Sequence, residues 1–214
     1  MVALKEHANP ERAGFAKKYM REQFEFIGLD ARSLRNTVDH FTRVNGYPEM
    51  EDLESFSLSL WELPEREFQY TVIQILQKLL KKLRKQDINW IMQLIVRKSW
   101  WDTVDGLAAW ICGSYFRKYP EQIKPVTENW MNSENLWLQR SALLFQLKYK
   151  LHTDTELLGN YIERLADHKD FFIRKAIGWV LREYSKSDKQ WVKTFLIHHD
   201  LPGLSVREAS KYLD

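Results

Sequence analysis

The chain has 214 residues, of which 44% are hydrophobic and 29% charged, with a formal net charge of +3 when histidine is neutral. That fits a soluble globular protein with one sizeable core or a stack of repeats. The lone cysteine, Cys112, excludes an internal disulfide framework and a multi-cysteine zinc site, and no stretch approaches 18 uninterrupted apolar residues.

The chain begins Met1-Val2-Ala3-Leu4-Lys5 with no apolar signal region, so a cytoplasmic location is expected. From there the 3.6-residue hydrophobic period predicts helices over 10–24, 32–44, 50–62, 64–83, 87–97, 101–118, 121–131, 134–150, 154–167, 170–185, 188–198 and 205–213. Asn9 before Pro10 reads as an N-cap with proline at the first helical position. Thr153 with Glu156, and Ser205 with Glu208, match capping boxes. Convincing strand alternation is absent, and glycine and proline number only eight and six. The fold class expected is all-α with short connections.

The helices also repeat. The segment around Arg140 (Trp137-Leu138-Gln139-Arg140-Ser141-Ala142) resembles the one around Lys175 (Phe172-Ile173-Arg174-Lys175-Ala176-Ile177), an offset of 35 residues. The same step back from Arg140 lands on Asp105, which places Asp105, Arg140 and Lys175 at one position of three successive helical hairpins. Irregular HEAT-like repeats fit this spacing. They predict an α-solenoid with a concave binding face, residues 1–214 forming one domain.

Chemistry concentrates in Ser99-Trp100-Trp101-Asp102-Thr103-Val104-Asp105. Trp101 and Asp105 stand at i and i+4 of a helix and project side by side. A flat π surface beside a carboxylate can hold and stabilise a cation. A core residue is the ordinary reading of an isolated pair of this kind. Arg140 and Lys175 admit two roles, inter-repeat ion pairing or contact with an anionic partner. Trp61, Trp90, Trp110, Trp130 and Trp191 read as core or inter-repeat packing. Adjacent His198 and His199 point apart on a helix and have no third ligand, so no metal site is expected.

Several long motifs, in order, give the chain its family likeness. They are Asn9-Pro10-Glu11 with Tyr19-Met20, Gln23-Phe24 through Gly28, Trp61 through Gln69, Lys98 through Asp105, Trp137 through Lys150, and Phe171 through Tyr184. On these the chain resembles the AlkD family of bacterial DNA alkylation repair glycosylases, built from HEAT-like repeats. The resemblance implies a monofunctional DNA glycosylase releasing cationic N3- and N7-alkylpurines, of the 3-methyladenine and 7-methylguanine type, from duplex DNA. A catalytically silent DNA-structure binder and a protein-interaction scaffold are the alternatives. It further implies no cofactor and no metal, double-stranded DNA as the partner, no membrane, and a monomer. Asp105 then matches the catalytic aspartate, Trp101 and Trp179 the aromatic cleft residues, and Arg140 a basic residue near the lesion-bearing backbone. Tyr19, Arg35, Lys148, Lys175 and Arg182 are the implied DNA contacts. Family members commonly carry a Thr-Pro-Glu-Arg-like turn where this chain reads Asp30-Ala31-Arg32-Ser33-Leu34-Arg35.

Overall fold

The computed structural model describes residues 2–213. Its regular structure is helical, and the chain divides into two compact units, residues 1–94 and 95–214. No helix among the described residues is long and apolar enough to cross a membrane.

The first unit holds α1 (Val2–Lys5), α2 (Pro10–Tyr19), α3 (Ala31–Asn45), α4 (Leu53–Trp61), α5 (Arg66–Leu79) and most of α6 (Ile88–Val96). The side chain of Asn9 accepts the backbone N–H of Arg12, so the predicted N-cap forms. Helix α2 nevertheless stops at Tyr19, short of the expected 24, because Arg21 and Glu22 take φ of 55° and 61°. Neither is glycine, and so the sequence carries no signal for that turn. In the divergent loop Asp30 N-caps α3, accepting from the backbone of Arg32 and Ser33 and pairing with Arg12 at 2.6 Å. The cap and the arginine hold its carboxyl down to about 2.

One buried carboxylate organises this unit. Glu67 of α5 accepts the backbone N–H groups of Ile27, Gly28 and Leu29 at 2.9, 2.7 and 3.2 Å. These bonds satisfy donors that the loop between α2 and α3 could not otherwise pair. Gly28, at φ +94°, runs so close to α2 that a Cβ there would lie 2.1 Å from the Asn9 carbonyl oxygen.

The second unit continues with α7 (Trp101–Gly106), a π-helical segment (Leu107–Cys112), α8 (Gly113–Lys118), α9 (Ile123–Asn132), α10 (Leu136–Leu144), α11 (Thr155–Arg164), α12 (Phe171–Tyr184), α13 (Lys189–His198) and α14 (Gly203–Ala209). Helix α10 packs against α7, α9, α11 and α12, and α12 against α13 and α14. The core is apolar: Val104, Leu107, Ile111, Phe116, Leu144, Ile162, Ile173, Ile177, Leu181 and Val192 are fully buried. Two expected capping boxes are replaced. Asp154, not Thr153, caps α11 by accepting from Leu157. Helix α14 starts at Gly203, and buried Ser205 donates instead to the Arg174 carbonyl at 2.9 Å. Tertiary partners outcompete the local pattern at both sites.

The 35-residue period is written into the hydrogen bonds. Within the second unit Asp105 pairs with Arg140 and Lys148 with Glu183, each 35 residues apart. Tyr149 with Gly113, Arg164 with Glu128 and His199 with Glu163 follow at 36. In the first unit Gln74 donates to Asp39, again at 35. Equivalent positions of successive hairpins face each other, as a stacked repeat requires.

Candidate active site

Helix α7 begins where Trp100, in extended conformation at φ −157°, turns the chain inward. Its indole packs on Trp137 at 6.0 Å and on Phe172 at 5.1 Å between ring centroids, and Trp137 meets Phe172 at 5.0 Å. These rings come from the starts of α7, α10 and α12, so one aromatic cluster aligns three successive repeats at the same end. Nothing in the sequence singles out Trp100 for this role. Its Nε1 is buried with no hydrogen-bond partner among the described residues.

Alignment of those helix starts places Asp105, one turn after Trp101, against Arg140 of α10. Nε and Nη2 of Arg140 donate to Oδ1 and Oδ2 of Asp105, both at 2.8 Å, a parallel fork. Arg140 Nη1 donates to the Phe172 carbonyl at the start of α12. The arginine is 3% exposed, while the Asp105 side chain keeps 15% of its surface open. Burial raises the Asp105 carboxyl above its ordinary value of 3.8, the Arg140 fork pulls it back, and the charge of Asp102 adds to the rise. The result is a carboxylate fixed in orientation, partly open, and more basic than a surface aspartate.

Trp101 and Trp179 are both half-buried, at the first turn of α7 and about two turns beyond Phe172 in α12. Arg140 is placed differently from a free phosphate clamp: its fork is spent on Asp105 and on Phe172. The ion-pair role left open by the sequence is the one the geometry realises. Lys175 and Arg182 are likewise engaged inside the protein. Both bond to Glu208 of α14 at 2.6 Å, and Lys211 adds a third cation at 3.0 Å. Glu208, only 7% exposed at its side chain, is held down to about 2, with the Lys175 bond the largest cause. Lys148 is half-exposed and reaches Glu183 at 3.5 Å. Tyr19 and Arg35 lie in the first unit, both exposed, on α2 and α3.

The tryptophans divide. Trp61, Trp90 and Trp130 are buried and Trp191 stacks on Phe195 at 4.9 Å, as packing residues should. Trp110 corrects the expectation: it is 48% exposed, on the π-helical segment. At 3.6 residues per turn Trp110 falls outside the buried stripe of Val104, Leu107, Ala108, Ile111 and Tyr115, so the helical period itself leaves it on the outer side. Among the described residues no group of three or more metal-ligating side chains assembles. The Nδ1–H of His199 donates to the Phe195 carbonyl at 2.7 Å, and its Nε2 lies 2.8 Å from Oε1 of Glu163.

A helical-repeat fold with a partly open aspartate forked onto a buried arginine of the next repeat defines the class. The chain belongs to the DNA alkylation repair enzyme family, whose model matches residues 1–213. It is similar to a predicted DNA alkylation repair enzyme from Enterococcus faecalis, with 31% identity, a TM-score of 0.90 and 96% of each chain covered. It is also similar in fold to AlkD2 from Streptococcus mutans, at 16% identity and a TM-score of 0.66, with 94% of this chain and 99% of that one covered. A third likeness of fold is to smu.31 from Streptococcus mutans UA159, at 16% identity and a TM-score of 0.65, with 95% and 100% covered. A comparison with curated proteins found no match.

Proposed function

We propose that this protein is a monofunctional glycosylase that hydrolyses the N-glycosidic bond of cationic N3- and N7-alkylated purines in duplex DNA, acting as a monomer without metal or cofactor. The observation that carries this reading is the forked, partly open Asp105 on the helix face it shares with Trp101. An alkylated purine already bears a positive charge, so its C1′–N bond is weakened and the departing base needs no proton. The bond electrons leave with the base and neutralise it. Positive charge then develops on the sugar as an oxocarbenium ion, where the Asp105 carboxylate stabilises it electrostatically. Water adds its oxygen to C1′, and its proton passes to Asp105 or to solvent. A carboxylate raised by burial is the better acceptor.

Trp101 and Trp179 supply π faces toward the cationic nucleotide. Arg140 serves here as a positioning residue: it fixes both oxygens of Asp105 in one plane and ties that plane to the start of α12. Incubating the protein with methylated duplex DNA and identifying free bases tests the reading. Release of 3-methyladenine or 7-methylguanine, unaffected by chelator and with no adduct trapped by borohydride, is the expected result. DNA binding without base release would leave the silent DNA-structure binder.

A further inference from the structure

We propose that exposed Trp110 and the lysines grouped around Lys148 form a second DNA-binding element, separate from the lesion-facing residues. It rests on DNA being the partner but not on base release. Trp110, on the π-helical segment, is 48% exposed. A tryptophan in an apolar Ala108-Ala109-Trp110-Ile111-Cys112 run would ordinarily be withdrawn from water, since an exposed indole forfeits a large burial gain. Its neighbours on that segment, Ala108, Ala109, Ile111 and Cys112, are all buried.

The surroundings select an anionic occupant. The Lys148 ammonium lies 5.5 Å from the centre of the Trp110 ring and 3.5 Å from Glu183. Glu183 also binds Lys186 at 2.6 Å. Lys148, Lys150, Lys186, Thr153, Ser187 and Gln146 line a cavity of about 310 Å³. Three ammonium groups there face one carboxylate, so the cavity carries excess positive charge. Lys150 is held at φ +55°, a conformation that non-glycine residues seldom keep, and Thr153 closes the turn by donating both its backbone N–H and its hydroxyl to the Lys150 carbonyl. A flat aromatic face beside a lysine-lined hollow is the chemistry that grips a duplex backbone: the ring packs on a deoxyribose and the lysines take the adjoining phosphate. An apolar protein partner would leave these ammonium groups desolvated.

The test is the affinity of the full chain for undamaged duplex DNA across a salt series, with melting temperature measured on the same preparations. Trp110→Ala is expected to weaken binding about tenfold, the low end of the scale for a lost aromatic contact with a nucleotide, with the salt slope unchanged. Trp110→Phe is expected to restore most of the affinity. Lys150→Ala is expected to flatten the slope of log affinity against log salt by about 0.9, one phosphate's worth. Single-turnover base release at saturating protein stays within about twofold of wild type in all three. Wild-type affinity in Trp110→Ala overturns the proposal, as does an equal loss in Trp110→Phe and Trp110→Ala. If the alanine variant melts early, the phenylalanine and Lys150 variants decide alone. Absence of base release from the unaltered protein would sink the glycosylase reading while leaving these binding differences fully interpretable.

Discussion

Asp105 and Arg140, 35 residues apart in sequence, are joined by two parallel hydrogen bonds of 2.8 Å, and the same arginine reaches the Phe172 carbonyl of the next repeat. One buried guanidinium therefore connects three successive repeats beside a carboxylate that keeps 15% of its surface open. The proposed chemistry is thereby coupled to stability, because a change that disturbs the acid also strands a buried cation.

Asp105→Asn should lower single-turnover base release by about 10²–10³, the cost of losing one preorganised electrostatic group. Asparagine retains one acceptor for Arg140 but turns an N–H toward the other donor. The variant should therefore also lose about 1–3 kcal/mol of stability, the usual penalty for an unsatisfied buried partner. Chemical denaturation together with single-turnover kinetics at a temperature far below the transition checks both. Unchanged base release would remove Asp105 from the chemistry.

Arg140→Ala separates positioning from phosphate binding. Removing the partner of a buried carboxylate should cost about 3–5 kcal/mol. The salt dependence of DNA binding should stay as in wild type, since the guanidinium is already engaged. In Arg140→Gln, which tests the electrostatics with less loss of volume, the acid limb of the base-release profile should move to higher pH. The sign follows from the proposed mechanism, in which ionised Asp105 is the active form: burial raises its pKa above 3.8, and Arg140 is the main group opposing that rise. Wild-type activity should accordingly fall on acidification at a pH above the ordinary aspartate range. A salt slope flattened by about 0.9 in Arg140→Ala would instead restore the phosphate-clamp role.

The repeat was legible because stacking demands it: a residue that faces its equivalent 35 positions on leaves a trace in sequence, and Asp105, Arg140 and Lys175 were that trace. Trp101 beside Asp105 was legible for the same kind of reason, a fixed helical offset. What periodicity could not show are departures from a single period. The π-helical segment Leu107–Cys112 leaves no mark in the sequence. Arg21 and Glu22 adopt left-handed φ without a glycine to announce it. Glu208 looked like a capping residue, yet three cations from outside the first turn of α14 claim its carboxylate. Spacing alone could not tell whether Arg140 would face a phosphate or a carboxylate, as either anion suits the same fork.

Gly178→Ala should destabilise the protein through the contact between α12 and α14. A Cβ at Gly178 would lie 2.5 Å from the Glu208 Cβ and 2.8 Å from the Ser205 carbonyl oxygen. The helices must separate to accept it, and overpacking of this kind typically costs about 1–3 kcal/mol. In an ordinary helix interior the same substitution stabilises, because alanine is the better helix former. A denaturant midpoint at or above wild type would show that α14 packs less closely than this.

Glu208→Gln should lose stability at neutral pH and regain parity in acid. With its folded-state pKa depressed from 4.5 to about 2, ionised Glu208 favours the folded chain at every pH above the unfolded value. That contribution is fully present above 4.5 and disappears as pH falls through about 2, where both states bind the proton. Glutamine carries no charge at any pH, so the stability difference between the variant and wild type should be constant from pH 7 to about pH 5 and shrink below that. Freed from Glu208, Lys175 and Arg182 would gain the chance to meet an anion, and duplex affinity should rise rather than fall, with a steeper salt slope. Urea midpoints across the pH series, read beside salt-dependent DNA binding, separate these effects. A stability difference that persists unchanged to pH 2 would mean that Glu208 acts by packing alone, and an unaltered salt slope would mean that its cations do not face DNA even when released.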